Sequence, residues 1–145
     1  MAYRVSCSKG FGFIVYRHKG IIAKEAMRAA WQDILNHNEF THNGYNVLAD
    51  LREGTFDFSV EELDVIMDFL ASIQRTLKGK RMAVIVDKPK ETVISMLFEH
   101  PAHKQFGFRI KTFTTLEAGV EFARTSIASS LPTSLLSSQT PDKQK

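Results

Sequence analysis

The sequence predicts an α/β domain, and three observations carry the prediction. Short β-branched and aromatic runs alternate with segments whose apolar residues recur at helical spacing. One continuous apolar run, Met82-Ala-Val-Ile-Val86, suits a central strand covered on both faces. Single helix-length segments separate the later strands, which implies right-handed crossovers and a mostly parallel sheet. The balance of 43% apolar and 24% charged residues in 145 is that of a folded globular chain.

The elements follow in order. Residues 3–7 and 13–17 read as two strands joined by turn chemistry at Ser8, Lys9, Gly10 and Gly12, hence a hairpin. Gly20 closes the second. Ala23, Met27, Ala30, Trp31 and Ile34 then mark an amphipathic helix, with Lys24, Arg28 and Gln32 on its polar side. Residues 36–44 read as a polar loop ending in the turn signal Asn43-Gly44. Residues 45–51 are the third strand. Ser59 and Glu62 have capping-box spacing and open a helix whose stripe is Leu63, Ile66, Leu70, Ile73 and Leu77, stopped at Gly79.

Residues 82–86 form the fourth strand. Pro89 suits the first turn of a third helix, with Val93, Met96 and Leu97 facing inward and Pro101 ending it. Residues 108–113 alternate as an outer strand. Thr114 and Glu117 form a second capping box, followed by Leu116, Val120, Ala123 and Ile127. The order is therefore ββαβαβαβα with five strands and four helices, over a domain of residues 1–128. Residues 129–145 hold five serines, two threonines and two prolines without an aromatic residue, so they are expected to form a mobile, dispensable tail.

Two stretches invite a functional reading. Lys9-Gly-Phe-Gly-Phe-Ile-Val-Tyr16 nearly reproduces the aromatic strand with which RNA-recognition domains stack unpaired bases. That strand should be the third of its domain, yet only eight residues precede Lys9. The simpler expectation is a glycine-jointed hairpin whose Phe11, Phe13 and Tyr16 pack structurally. Single-stranded nucleic-acid binding through this strand is kept as the alternative function.

At Asn46-Val-Leu-Ala-Asp-Leu-Arg52 and Phe56-Asp-Phe-Ser-Val-Glu-Glu62 the chain resembles a broad bacterial family of small uncharacterised domains. These are similar to the anti-sigma-factor antagonist fold, the STAS-like or sporulation-protein-AA-like domains. Gly20, Phe40, Gly44, the run 81–86, Met96-Leu-Phe-Glu99 and Phe113-Thr-Thr-Leu-Glu-Ala118 fit the same pattern, which spans about residues 3–125. The resemblance implies a βα superhelix with a hairpin at one edge, sheet order 1-2-3-4-5 and strand 1 antiparallel. Antagonists of this fold carry a phosphorylatable serine in an Asp-Ser-Ser/Thr-Gly turn. Here Asp57 stands one place early and no glycine follows Ser59, so Ser59 is read as a helix cap.

Ligands of open α/β sheets gather outside the carboxyl ends of the strands. Those ends supply Asp50, Arg52, Glu53, Asp87, Lys88, Thr114 and Thr115. The ligand- or partner-binding set is therefore Asp50, Arg52, Ser59, Asp87 and Lys88, with Arg52 and Lys88 as cations for a small anion or protein tail. The bland counterpart has Arg52 paired with a carboxylate and Asp87 capping a helix. His37 and His42, then His100 and His103, lack helical metal-ligand spacing, and Cys7 is the one cysteine, so no metal and no cofactor are expected. No catalytic signature is found: Ser59 has no nucleophile elbow and the third strand no glycine-rich phosphate loop. No apolar run approaches the roughly 18 residues of a membrane helix. The opening residues show no basic start feeding an apolar stretch. The expectation is a non-enzymatic, STAS-like module of the bacterial cytoplasm, binding a protein partner or an apolar small molecule, with self-association open.

Overall fold

A computed structural model describes residues 2–124 of the chain. The elements are β1 (Tyr3–Ser8), β2 (Phe13–His18), β3 (Gly20–Ile22), α1 (Lys24–Leu35), α2 (Asn38–Thr41), β4 (Asn46–Asp50) and β5 (Gly54–Phe56). A 3₁₀ turn, Val60–Glu62, leads into α3 (Leu63–Ser72) and α4 (Gln74–Leu77). They are followed by β6 (Arg81–Ile85), α5 (Pro89–Phe106), β7 (Arg109–Phe113) and α6 (Leu116–Ala123). The main sheet runs β1-β2-β4-β6-β7, with β1 antiparallel to β2 and the other pairings parallel.

The chain is thus an α/β fold with a mixed five-stranded sheet, and its detail departs from the sequence reading in several places. A second sheet pairs β3 with β5 in parallel, at three residues each. Strands that short carry no readable alternation. Among the described residues there are six helices where the sequence predicts four. The polar loop after α1 contains α2, whose Phe40 is fully buried against Trp31. The stripe from Leu63 to Leu77 breaks at Ile73, where φ −120° and ψ 21° leave the helical region.

α5 brings the largest corrections. Pro101 does not end it: the helix continues to Phe106 and stops at Gly107, whose φ of 65° is the left-handed cap that glycine adopts without strain. Nor do Val93, Met96 and Leu97 face inward; they are 58%, 54% and 44% exposed. Glu91, Ile94, Ser95, Ala102 and Phe106 are buried instead. The phase is set by polar anchors: Glu91 accepts the Phe56 N–H at 3.0 Å and Ser95 bonds Thr112 at 2.7 Å. Burying Val93 would rotate both anchors into solvent. At α6 the cap is Thr115, not Thr114: its hydroxyl accepts the Ala118 N–H at 3.3 Å.

The sheet is sandwiched unequally. Its larger core face packs α1, α3, α4 and α5 over Ile14, Tyr16, Val47, Ala49, Val84 and Ile110. Trp31 lies between Phe40 and Phe108 in edge-to-face contacts of 6.0 and 6.1 Å, worth about 0.5–1.5 kcal/mol each beyond burial. On the other face, among the described residues, α6 packs over a smaller core of Phe13, Leu48, Ala83 and Ile85. Gly119 permits the close approach, since a Cβ there would stand 2.6 Å from Ile85 Cδ1. Asn46 bolts the layers together, donating to the Ala123 carbonyl at 2.9 Å and accepting the Arg81 N–H at 2.8 Å. The expected tail and Ile127 lie outside the described residues.

Candidate functional site

Among the described residues the fold forms a polar concavity and an apolar one with a groove beside it. The polar one lies at the carboxyl end of the sheet and is lined by Asp50, Arg52, Asp87, Arg4, Arg17 and His18 among others. Asp50 ends β4, and Arg52 turns back on it with two hydrogen bonds of 2.8 and 2.6 Å. That fork holds the Asp50 carboxyl below its ordinary range, with Arg17 at 3.9 Å adding to the effect. Arg52 is therefore a structural cation. Lys88 is also spent, donating to the carbonyls of Arg52 at 2.8 Å and Gly54 at 3.2 Å. It ties down the loop after β4.

Asp87 does not cap a helix. It is exposed in the pocket wall, and the residue at the N-cap of α5 is Lys88 in extended conformation. Ser59 is not part of this pocket. It stands before the 3₁₀ turn, where its N–H donates to the Glu62 carboxylate at 3.0 Å. Glu62 in turn accepts from Lys24 at 2.7 Å, linking the start of α3 to α1 and holding its own carboxyl low. The structure thus brings together Asp50, Arg52, Asp87 and Lys88, and leaves Ser59 apart.

Sequence reasoning missed Arg4, Arg17 and His18. Arg4 and Arg17 are directly opposed across β1 and β2, a pairing readable once the hairpin register is known. His18 is 1% exposed, with Nδ1 2.8 Å from the Tyr16 hydroxyl and Nε2 unpaired among the described residues. Burial pushes its pKa below the ordinary histidine value, opposed in part by the Ile21 backbone. Burial likewise pushes the Tyr16 hydroxyl up.

The apolar concavity is a half-open pocket of about 50 Å³ between the sheet and its helices, walled by Tyr16, Leu51, Phe56, Phe58, Val84 and Ile110 with side chains of α1, α3 and α5. Outside it, a groove of about 260 Å³ runs between α1 and α3, rimmed by Lys24, Glu25 and Arg28. Met27, Trp31 and Ile66 line both. The two spaces adjoin at these side chains. The hairpin aromatics behave differently from a base-stacking platform: Phe13 and Tyr16 are buried on opposite faces, and only Phe11 is exposed, stacked on Phe13 at 5.5 Å.

No family model matches the chain, and no curated protein matches it in sequence. Among solved structures it is similar to an uncharacterized protein of the DUF3478 family from Shewanella loihica PV-4, described as having a SpoIIAA-like fold. The TM-score is 0.54 at 14% identity, over 84% of this chain and 92% of that one. The chain has a SpoIIAA-like fold. Identity this low carries the fold and no residue role, so both concavities stand on their own geometry. No helix among the described residues is long and apolar enough to cross a membrane, and no cluster of three metal-ligating side chains occurs among them.

Proposed function

We propose that this SpoIIAA-like chain is a non-enzymatic, STAS-like binding module whose ligand is a small apolar molecule received between α1 and α3. The observation that carries the reading is the shared lining: Met27, Trp31 and Ile66 border both an apolar pocket and an apolar-floored groove. The pocket alone is too small, since an engineered cavity of roughly 150 Å³ is what accommodates benzene. Pocket and groove together reach the roughly 300 Å³ at which ligand pockets begin. Unbranched Met27 is the side chain best able to swing aside. The polar groups on these walls are engaged with neighbours, Tyr16 with His18, Ser95 with Thr112 and Lys24 with Glu25 and Glu62, which favours binding over catalysis.

Trp31 is the only tryptophan and lines both spaces, so its emission reports entry directly. Titration with toluene should change Trp31 fluorescence saturably, and native mass spectrometry should find a small apolar adduct on protein from its host. A featureless titration together with a bare mass would overturn the reading. A protein partner is the second reading. The exposed stripe Val93, Met96 and Leu97 on α5 favours it, being contiguous at helical spacing.

A further inference from the structure

We infer that the β1 edge of the main sheet is a docking site for an extended segment of another protein, one carrying a carboxylate beside Arg4. The sheet has two edge strands, and they are treated differently. At β7, the N–H of Arg109 points back toward β6, bonding Lys80 at 3.0 Å, which turns the Thr112 N–H outward. That donor is closed off by the Glu99 carboxylate at 2.9 Å. α5 therefore closes one of the outward donors of this edge. β1 has no such closure. The Lys19 N–H bonds the Ala2 carbonyl at 2.9 Å, so in this register Ala2, Arg4, Ser6 and Ser8 exchange hydrogen bonds with β2. The backbone groups of Tyr3, Val5 and Cys7 then face outward, and none has a partner among the described residues. A row of that kind is a template for strand addition.

Charge states what the added strand should carry. Arg4 and Arg17 sit directly opposite each other, a destabilising like-charge pair. Asp50 relieves Arg17 at 3.9 Å but is already committed to Arg52, and Arg4 has no acidic partner among the described residues. A glutamate or aspartate on the incoming strand, facing away from α1, would supply the missing counter-charge. Its alternate residues would lie beside Tyr3, Val5 and Cys7, which pack toward the core face, so they should be apolar. A second copy of the chain is a poor occupant. α1 packs more against β1 than against β2, with Tyr3 donating to Asp33 at 3.0 Å. Joining two β1 strands would set two such helices roughly one strand spacing apart, about 5 Å. Packed helices need about 8–10 Å.

The test uses the full chain and a blocked peptide, Ser-Val-Glu-Val-Ser, with Ser-Val-Lys-Val-Ser as the charge-reversed probe. Amide hydrogen exchange by NMR should show Val5 and Cys7 slowing in proportion to the acidic peptide. The lysine peptide should bind roughly fivefold more weakly, the usual scale of a cross-strand charge reversal. Arg4→Glu should invert that preference, and it should fold, because it replaces a like-charge pair with an opposite one. The proposal is overturned if Val5 and Cys7 stay unprotected. It is equally overturned if they gain protection from raised protein concentration alone, which would mean a second copy. Arg4 shifts reproduced by acetate, without amide protection, would reduce the edge to a small-anion site and overturn it too.

Discussion

Lys90 and Glu91 hold both backbone groups of one residue, Phe56. Glu91, 2% exposed, accepts the Phe56 N–H at 3.0 Å, while Lys90 donates to the Phe56 carbonyl at 2.7 Å. Glu91→Ala strands a buried donor and should cost about 2–3 kcal/mol in urea unfolding. Glu91→Gln keeps an acceptor and should cost less. His18 makes a second residue-scale prediction. Its folded pKa lies below the unfolded value, near 6.5, because burial disfavours the charged ring. The unfolded chain therefore binds the extra proton first on acidification. The stability His18 contributes is complete above about pH 6.5 and declines as the pH falls toward its folded pKa. The urea midpoint should drop between pH 7 and pH 5, and His18→Gln should flatten that slope. An unchanged slope in the variant would assign the dependence to other groups.

At the scale of elements, α5 shows which sequence signals hold and which yield to packing. A proline inside a helix removes one backbone bond and crowds the preceding turn, at about 3 kcal/mol. Pro101 for that reason predicts a terminus, yet 18 residues from Pro89 to Phe106 remain helical. The buried Ala102 and Phe106 and the Gly107 cap outweigh the break. Pro101→Ala should then raise stability by about 1–2 kcal/mol, several degrees in melting temperature, after allowing for the looser unfolded chain. A lower melting temperature would show that the proline fits its site better than a regular turn does. The inward face departs from the apolar pattern for a related cause. Counting apolar residues chose Val93, Met96 and Leu97, whereas Glu91 and Ser95 determine the rotation through bonds to Phe56 and Thr112. Periodicity cannot see a polar anchor whose partner lies 35 residues away, as Phe56 does from Glu91.

Across the whole molecule, the apolar cavity sets stability against binding. Val84 lines it, and Val84→Ile adds one methylene, worth about 0.8 kcal/mol if it fills void without strain. The variant should melt higher and respond less to toluene at Trp31. A stabilised variant with an undiminished response would place the probe elsewhere, in the outer groove.

The sequence by itself determined the α/β class, the hairpin, the central run at β6 and the glycine stop at Gly79, because these rest on local periodicity and backbone chemistry. It also placed Asp50, Arg52, Asp87 and Lys88 at one sheet end, since strand ends in a parallel sheet share a side. Only the tertiary structure decided what those residues do. Arg52 and Lys88, the two expected cations, are consumed by Asp50 and by loop carbonyls. Whether a charged group is free depends on neighbours brought up by folding, as it also does for Arg4 and Arg17 across the hairpin. The cavity was illegible for the same reason: it is a space between elements, and a void has no residues of its own to read.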